Sequence, residues 1–452
     1  MRNGKINLFF LSFFLKYIYA YIKLPVYTYH SQKPNETSSK EYVEYFSKNA
    51  IYTNLSIGNP PQKVVATLNF NNYPLVIAYN VCDIPSYFSI NDSYSYSKKD
   101  NGNIYIAQVG NSVATYLVND SFYFSENNPY ILSYIFAPLI TSSDMKYRKT
   151  PYTCIDIGLK MQGPYYQTFT YNFIMELKIL NIINNYVCFI EFDDNDDDLG
   201  NFVVGIEPYE YNPQIYNFSD LRQIYSVELY AGVNWQMKFD SIYISLKSGD
   251  NITKNEFSNV KAGLNPNLKV IFGTFEYREF IEKNFFNDRK NVCKMNKLEK
   301  SYYNYECNSL EVIKEFPKLS FIHRNLGVTF EMTYEDLFIK YGDSYMTVIW
   351  IDMDVKNRNY WILGKPFLKK YFFSYDIDKK LMSYYPRNKY NINSDKVAEE
   401  EDGNDTDTYK YIIIAVCIIV VGVLGFFLAK FIYNKRKKNL GTQELMDEVN
   451  EV

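Results

Sequence analysis

From Tyr52 onward, polar and apolar residues alternate along the chain. Tyr52-Thr53-Asn54-Leu55-Ser56-Ile57 is followed by Gly58-Asn59-Pro60-Pro61 and then by Lys63-Val64-Val65-Ala66-Thr67-Leu68. Period-two alternation on both sides of a Gly/Pro turn predicts a β-hairpin. Short runs of the same kind recur up to about Pro386, among them Val187 to Phe192, Phe202 to Ile206, Trp235 to Ile244 and Trp361 to Leu363. Helical periodicity is sparse, with Tyr277 to Phe286 and Thr333 to Lys340 as the best candidates. Many short strands between turn residues predict an all-β architecture. Residues 21–49 are polar, with Pro25, Pro34 and Ser38-Ser39-Lys40, and are expected to be a linker or the remnant of a pro-segment.

A weak duplication runs through this pattern. Leu68-Asn69-Phe70-Asn71 recurs as Leu264-Asn265-Pro266-Asn267. An apolar-Gly motif follows each, at Ile157-Gly158 (with Asp156 in the first apolar place) and at Ile362-Leu363-Gly364. A two-lobed protein built by duplication would carry such a pattern.

Composition agrees with a large β core. The chain has 452 residues, 47% of them hydrophobic, with 46 Tyr and 33 Phe, residues that suit half-buried pleated surfaces. A net charge of −3 gives no reason to expect nucleic acid as a partner. His30 and His323 are the two histidines, which argues against a histidine-based triad or metal site. No cofactor is expected.

The ends of the chain point to a secreted topology. Arg2 and Lys5 precede a short apolar run, Leu8 to Leu15, as in a signal peptide ending near Ala20. Ile18 fits the small-residue cleavage rule poorly, and an uncleaved anchor is the alternative. Tyr411 to Ala429 is uncharged, almost wholly apolar, and long enough to cross a bilayer; Phe431 to Tyr433 extend it if Lys430 snorkels. Lys435, Arg436, Lys437 and Lys438 follow it, and acidic residues from Glu399 to Asp407 precede it. The basic cluster belongs in the cytosol, so the expectation is a single-pass type I membrane protein with a lumenal or extracellular ectodomain.

Six cysteines fit an oxidising compartment. Cys417 lies in the apolar span. Of Cys82, Cys154, Cys188, Cys293 and Cys307, the last two flank a short polar segment and are expected to pair. At least one of the others should stay unpaired or bond to another chain. Sequons at Asn35, Asn54, Asn91, Asn119, Asn217, Asn251 and Asn404 agree with a glycoprotein.

Four stretches in order resemble the pepsin-like aspartic peptidases over about residues 50–387. Tyr52 to Gln62 looks like that family's first hairpin. Phe192 to Glu207, ending Gly200-Asn201-Phe202-Val203-Val204-Gly205-Ile206, is similar to the hairpin that closes its N-terminal lobe. Trp235 to Ile242 looks like a strand of its interlobe region. Trp361-Ile362-Leu363-Gly364-Lys365-Pro366-Phe367-Leu368 resembles its Trp-Ile-Leu-Gly-Asp-X-Phe-Leu terminus. The resemblance implies an all-β, bilobal fold in which each lobe brings one Asp-Thr-Gly loop to a cleft. It divides the chain into a signal peptide (1–20), a linker or pro-segment (21–49), an N-terminal lobe (50–215), a C-terminal lobe (216–387), an acidic stalk (388–410), a membrane helix (411–433) and a cytoplasmic tail (434–452).

In that family two carboxylates share a proton, one acting as general base on water. Here the first aspartate falls on Asn69, and Phe70, Asn71, Asn72 and Tyr73 stand where Thr, Gly and two serines would follow. The second falls on Asn265, with Pro266, Asn267, Leu268 and Lys269 after it. The flap tyrosine falls near Gln108 and its tryptophan partner on Val76. Cys82 survives, but its near partner position is Tyr87. An amide has no carboxylate proton chemistry, and general acid–base catalysis contributes roughly 10²–10⁴-fold per group. The reading is a catalytically inactive homologue that binds an extended peptide or a protein, Asn69 and Asn265 serving as turn caps. An active membrane-anchored endopeptidase is the alternative, and a surface protein with a collapsed cleft is a third. The acidic run Asp193 to Asp198 is expected to be a solvated hairpin tip, because Asp198 and Val204 occupy the places where a calcium loop needs Gly and Glu.

Overall fold

A computed structural model describes residues 21–28, 46, 51–70, 76–78, 92–95, 97–98, 105–109, 111–124, 129–138, 155–159, 173–194, 196, 198–226, 235–248, 251–298, 302–352 and 360–386. The chain divides into Met1–Arg387 and Asn388–Val452, and the described residues belong to the first unit. Among them no helix is long and apolar enough to cross a membrane. The expected signal, stalk, membrane span and tail lie outside the described residues.

The fold is mostly β. Among the described residues, 14 strands form one sheet and 11 form a second. Chain order does not separate them. The first sheet takes strands from Ile22–Thr28 to Arg222–Tyr225, then regains the last two described, Phe372–Asp376 and Leu381–Tyr385. The second runs from Trp235–Ser248 to Tyr360–Leu363. Val187–Phe192 pairs with Phe372–Asp376, setting Cys188 opposite Tyr375. Three distant stretches of chain thus meet in one sheet.

The predicted first hairpin is present. Ile51–Ile57 pairs with Gln62–Asn69 over its whole length, from Ile51↔Leu68 to Ile57↔Gln62. Gly58 has φ +86°, a left-handed backbone that glycine adopts without a Cβ clash.

Within the expected linker or pro-segment, residues 22–28 are paired in the first sheet. Ile22–Thr28 is a strand inserted between Leu199–Val204 and Ile51–Ile57. Ile22, Leu24, Val26 and Thr28 are buried in alternation, the period of a half-buried strand. Pro25 suggested a linker because proline donates no ladder bond. In the sheet Pro25 points to the exposed face, and its carbonyl accepts the Thr53 hydroxyl at 2.8 Å.

The two predicted helices fare differently. Phe275–Ile281 is helical, and the Thr274 hydroxyl caps it by accepting the Tyr277 N–H at 3.3 Å. Beyond it, Thr333 and Asp336 form a capping box, yet the helix ends at Leu337. Phe338–Tyr341 pairs with Ser344–Thr347 as a strand. Leu337 and Phe338 are both buried, so tertiary packing overrides the local helix signal. The predicted Cys293–Cys307 disulfide joins directly opposed residues of Cys293–Leu298 and Tyr302–Cys307. Cys188 is a free thiol, buried in the first sheet.

The duplicated motifs sit in matching strand pairings. Gln62–Asn69 lies parallel to Ile155–Gly158, with Leu68 opposite Ile157 and Asn69 opposite Gly158. Asn251–Leu264 lies parallel to Tyr360–Leu363, with Leu264 opposite Leu363. Each second strand then pairs antiparallel with a short strand, Val76–Ala78 or Ile271–Gly273. Each short strand pairs in parallel with one more, Pro129–Pro138 or Ile349–Asp352. One sequence of pairing directions therefore occurs in both sheets.

Candidate functional site

Both motifs end a strand, so both asparagines lie where the backbone leaves a sheet. In the second sheet the exit is drawn in detail. The Asn265 N–H donates to the Leu363 carbonyl at 3.0 Å, and the Asn265 carbonyl accepts the Leu268 N–H at 3.2 Å. The Asn265 side-chain oxygen accepts the Asn267 N–H at 3.0 Å. This is an Asx turn: the amide caps its own loop, as expected for a turn-forming asparagine. Asn265 is only 8% exposed, and Pro266 beside it is buried.

Gly364 lets this turn close. A Cβ there would lie 2.1 Å from the Val270 carbonyl oxygen and 2.5 Å from that of Leu268. The next residue, Lys365, donates its N–H to the Leu268 carbonyl at 2.7 Å. The Gly of the second apolar-Gly motif is thus a close-approach residue beneath the Asn265 loop.

Two side chains of this loop cross to the first sheet. The Asn267 amide oxygen accepts the Ile51 N–H at 3.2 Å. The Lys269 ammonium lies 2.8 Å from Asp198 Oδ1, with side-chain exposures of 10% and 22%. Asp198 Oδ1 also accepts the Thr28 hydroxyl at 2.5 Å. Lys365 is buried; its ammonium sits 5.0 Å from the centre of the Phe192 ring and 3.5 Å from the Thr28 hydroxyl oxygen. The acidic run is therefore not simply a solvated tip. Asp198 is held at this seam by the Lys269 ammonium and the Thr28 hydroxyl. Asp198 brings a carboxylate to this seam, but its Oδ1 is already engaged by a hydroxyl and an ammonium group.

In the first sheet, Asn69 lies between Leu68 and Phe70, both fully buried, and Phe70 packs edge-on to Phe202 at 6.2 Å. The residue at the expected hydroxyl position is a core aromatic. Gln108 lies on Tyr105–Val109, opposite Ser112 of the strand it pairs with in a hairpin. Val76 begins Val76–Ala78. The side chains of Asn69 and Gln108 lie outside what the structure describes, as do Asn71, Asn72, Tyr73, Cys82, Tyr87 and Cys154.

A buried acid does occur elsewhere. Asp120 is 2% exposed, and its Oδ1 accepts the hydroxyls of Ser93 (2.8 Å) and Ser95 (2.6 Å) and the Ser121 N–H (2.8 Å). It belongs to the far end of the first hairpin, where Ile57 pairs with Phe122. Ile51, at the seam, is the other end of that strand. At about 3.3 Å per residue the strand separates the two places by roughly 20 Å, so Asp120 does not substitute for an acid at the seam. Among the described residues no group of three or more His, Cys, Asp or Glu side chains is arranged to hold a metal ion.

Sequence reasoning missed Lys269, Lys365, Asp198 and Ile51 as a connected set. One signal was present: Lys365 stands where the resembling motif has an aspartate, and an acidic run stands in the preceding hairpin. Compared with known proteins, the chain matches no family model and no curated protein sequence.

Proposed function

We propose that this chain is a catalytically inactive, aspartic-peptidase-like membrane protein whose ectodomain binds a peptide or protein. The observation that carries this reading is the repeated strand pairing that leads each time to asparagine, Asn69 after Leu68 and Asn265 after Leu264. Two such units are what a bilobal pepsin-like fold requires, and each would deliver one residue to a shared cleft. At the second of them the amide is spent on a turn, and Pro266 leaves no hydroxyl to orient an acid. Water between two amides meets no base. The apolar span at 411–433 would hold the ectodomain on the lumenal or extracellular side of a membrane.

The test is an assay of the purified full-length chain on unfolded protein from pH 3 to 6, with and without pepstatin. No pepstatin-sensitive cleavage is expected. The Asn69→Asp/Asn265→Asp double variant should stay inactive too, because Phe70 and Pro266 remain. Cleavage by the natural chain that is lost on Asn69→Ala or Asn265→Ala would establish the active endopeptidase instead.

A further inference from the structure

Arg278 belongs to the helix Phe275–Ile281, and its side chain reaches the hairpin of Cys293–Leu298 and Tyr302–Cys307. The register explains the meeting. Met295 stands opposite Tyr305 and Lys297 opposite Tyr303, so Met295, Tyr303 and Tyr305 project to one face of the hairpin. The Arg278 guanidinium is 5.6 Å from the centre of the Tyr303 ring and 5.7 Å from that of Phe275 in its own helix. Its Nη2 lies 3.1 Å from Glu282 Oε2 and 3.6 Å from Met295 Sδ. Two rings and a carboxylate thus hold a cationic donor beside a thioether, which is a weak acceptor.

Met295 is 41% exposed, whereas Met237, Met332, Met346 and Met382 are at most 3% exposed. An oxidant in solvent reaches the first and not the other four. Oxidation converts a thioether into a polar sulfoxide, and a sulfoxide oxygen is a far stronger acceptor than a thioether sulfur. The methionine side chain has three rotatable bonds, enough to turn that oxygen onto a guanidinium already at contact distance. A hydrogen bond from a charged donor is about twice as strong as one between neutral groups.

We infer that Met295 is a site of reversible oxidation by hydrogen peroxide, and that its sulfoxide ties the hairpin to the helix through Arg278. A sulfur lone pair attacks one peroxide oxygen; the S–O bond forms as the O–O bond breaks. Sulfur gives up two electrons, and the departing hydroxide takes the proton of the transferred hydroxyl and leaves as water. The inference goes beyond the inactive-peptidase reading and does not use Asn69 or Asn265.

The experiment treats the folded full-length chain with limiting hydrogen peroxide and follows each methionine by peptide mass mapping. Met295 is expected to gain one oxygen atom at least about tenfold faster than Met237, Met332, Met346 or Met382, whose sulfurs meet solvent only when the fold opens. The oxidised chain should melt about 2 °C higher than the untreated one, the scale of one added hydrogen bond in a domain of this size. The same treatment should not raise the melting temperature of Met295→Leu, or of Arg278→Leu, which keeps an apolar stem but has no donor. Methionine sulfoxide reductases, one for each epimer, should restore both mass and melting temperature. The inference is overturned if Met295 oxidises no faster than the four buried methionines, or if the oxidised natural chain melts no higher. Equal shifts in the natural chain and in either variant would overturn it as well. Should Arg278→Leu fail to fold, the comparison with Met295→Leu decides.

Discussion

The side-chain oxygen of Asn267 lies 3.2 Å from the main-chain nitrogen of Ile51 and accepts its hydrogen bond. One residue belongs to the loop after Leu264, the other begins a strand of the other sheet. The loop that resembles a catalytic element therefore works as a rivet between two sheets. Ile51 is 1% exposed, so its N–H has little access to water if Asn267 is lost.

Removing that acceptor should cost about 1–3 kcal/mol, the usual penalty for stranding a buried donor. Asn267→Ala is expected to shift the urea midpoint of unfolding downward, while Asn267→Asp, which keeps an acceptor oxygen, should lie close to the natural protein. Equal midpoints for Asn267→Ala and the natural chain would mean that Ile51 finds another acceptor.

The contact of Lys269 with Asp198 is half shielded, between the surface and buried extremes. Asp198→Asn should therefore destabilise by about 1–3 kcal/mol, more than an exposed pair and less than a fully buried one. The natural chain should also lose stability in high salt more steeply than Asp198→Asn does. Parallel salt dependences would show that the ion pair contributes nothing.

Gly364 has no room for a side chain. Its Cβ would lie well inside contact distance of two carbonyl oxygens, Val270 and Leu268, which are backbone and cannot swing away. Gly364→Ala is expected to be among the most damaging single changes, above about 4 kcal/mol, with little folded protein recovered. A soluble variant with an unchanged melting temperature would refute the packing described at this turn.

His323 is 6% exposed and takes the Leu326 N–H on Nδ1 at 3.2 Å. Burial lowers its pKa below the ordinary 6.5, against an opposing pull from Asp240. The unfolded chain then binds the proton more readily than the folded one, so this contribution to stability is complete above pH 6.5 and falls away as the pH drops through the folded value. Unfolding free energies measured from pH 7.5 downward should decline more steeply for the natural protein than for His323→Asn, whose oxygen can accept the same N–H. Identical slopes would remove His323 from the acid response.

Much of the local structure was legible in the residues. Alternation on either side of Gly58 marked the first hairpin, the periodicity from Tyr277 to Phe286 marked a helix, and the short polar segment between Cys293 and Cys307 marked a disulfide. The paired Asn motifs pointed to a repeat, and the strand pairings in the two sheets follow it. The strand Ile22–Thr28 was equally periodic but hidden by Pro25, whose missing N–H suggested a break. The periodicity from Thr333 to Lys340 announced a helix that Phe338 cuts short, because a strand partner at Thr347 competes for it. Asp198 and Lys269 were each visible as charges and invisible as a pair.

By itself, then, the order of residues determined the first hairpin, the helix after Thr274, the Cys293–Cys307 pairing, and that amides stand in both repeated loops, since backbone sterics and hydrophobic period act over a few residues. The tertiary structure alone decided that the last two strands return to the first sheet, that Asp198 faces inward, and that the Asn265 loop grips Ile51. Those outcomes depend on which distant surfaces are buried against each other, and burial of distant partners is a property of the assembled chain.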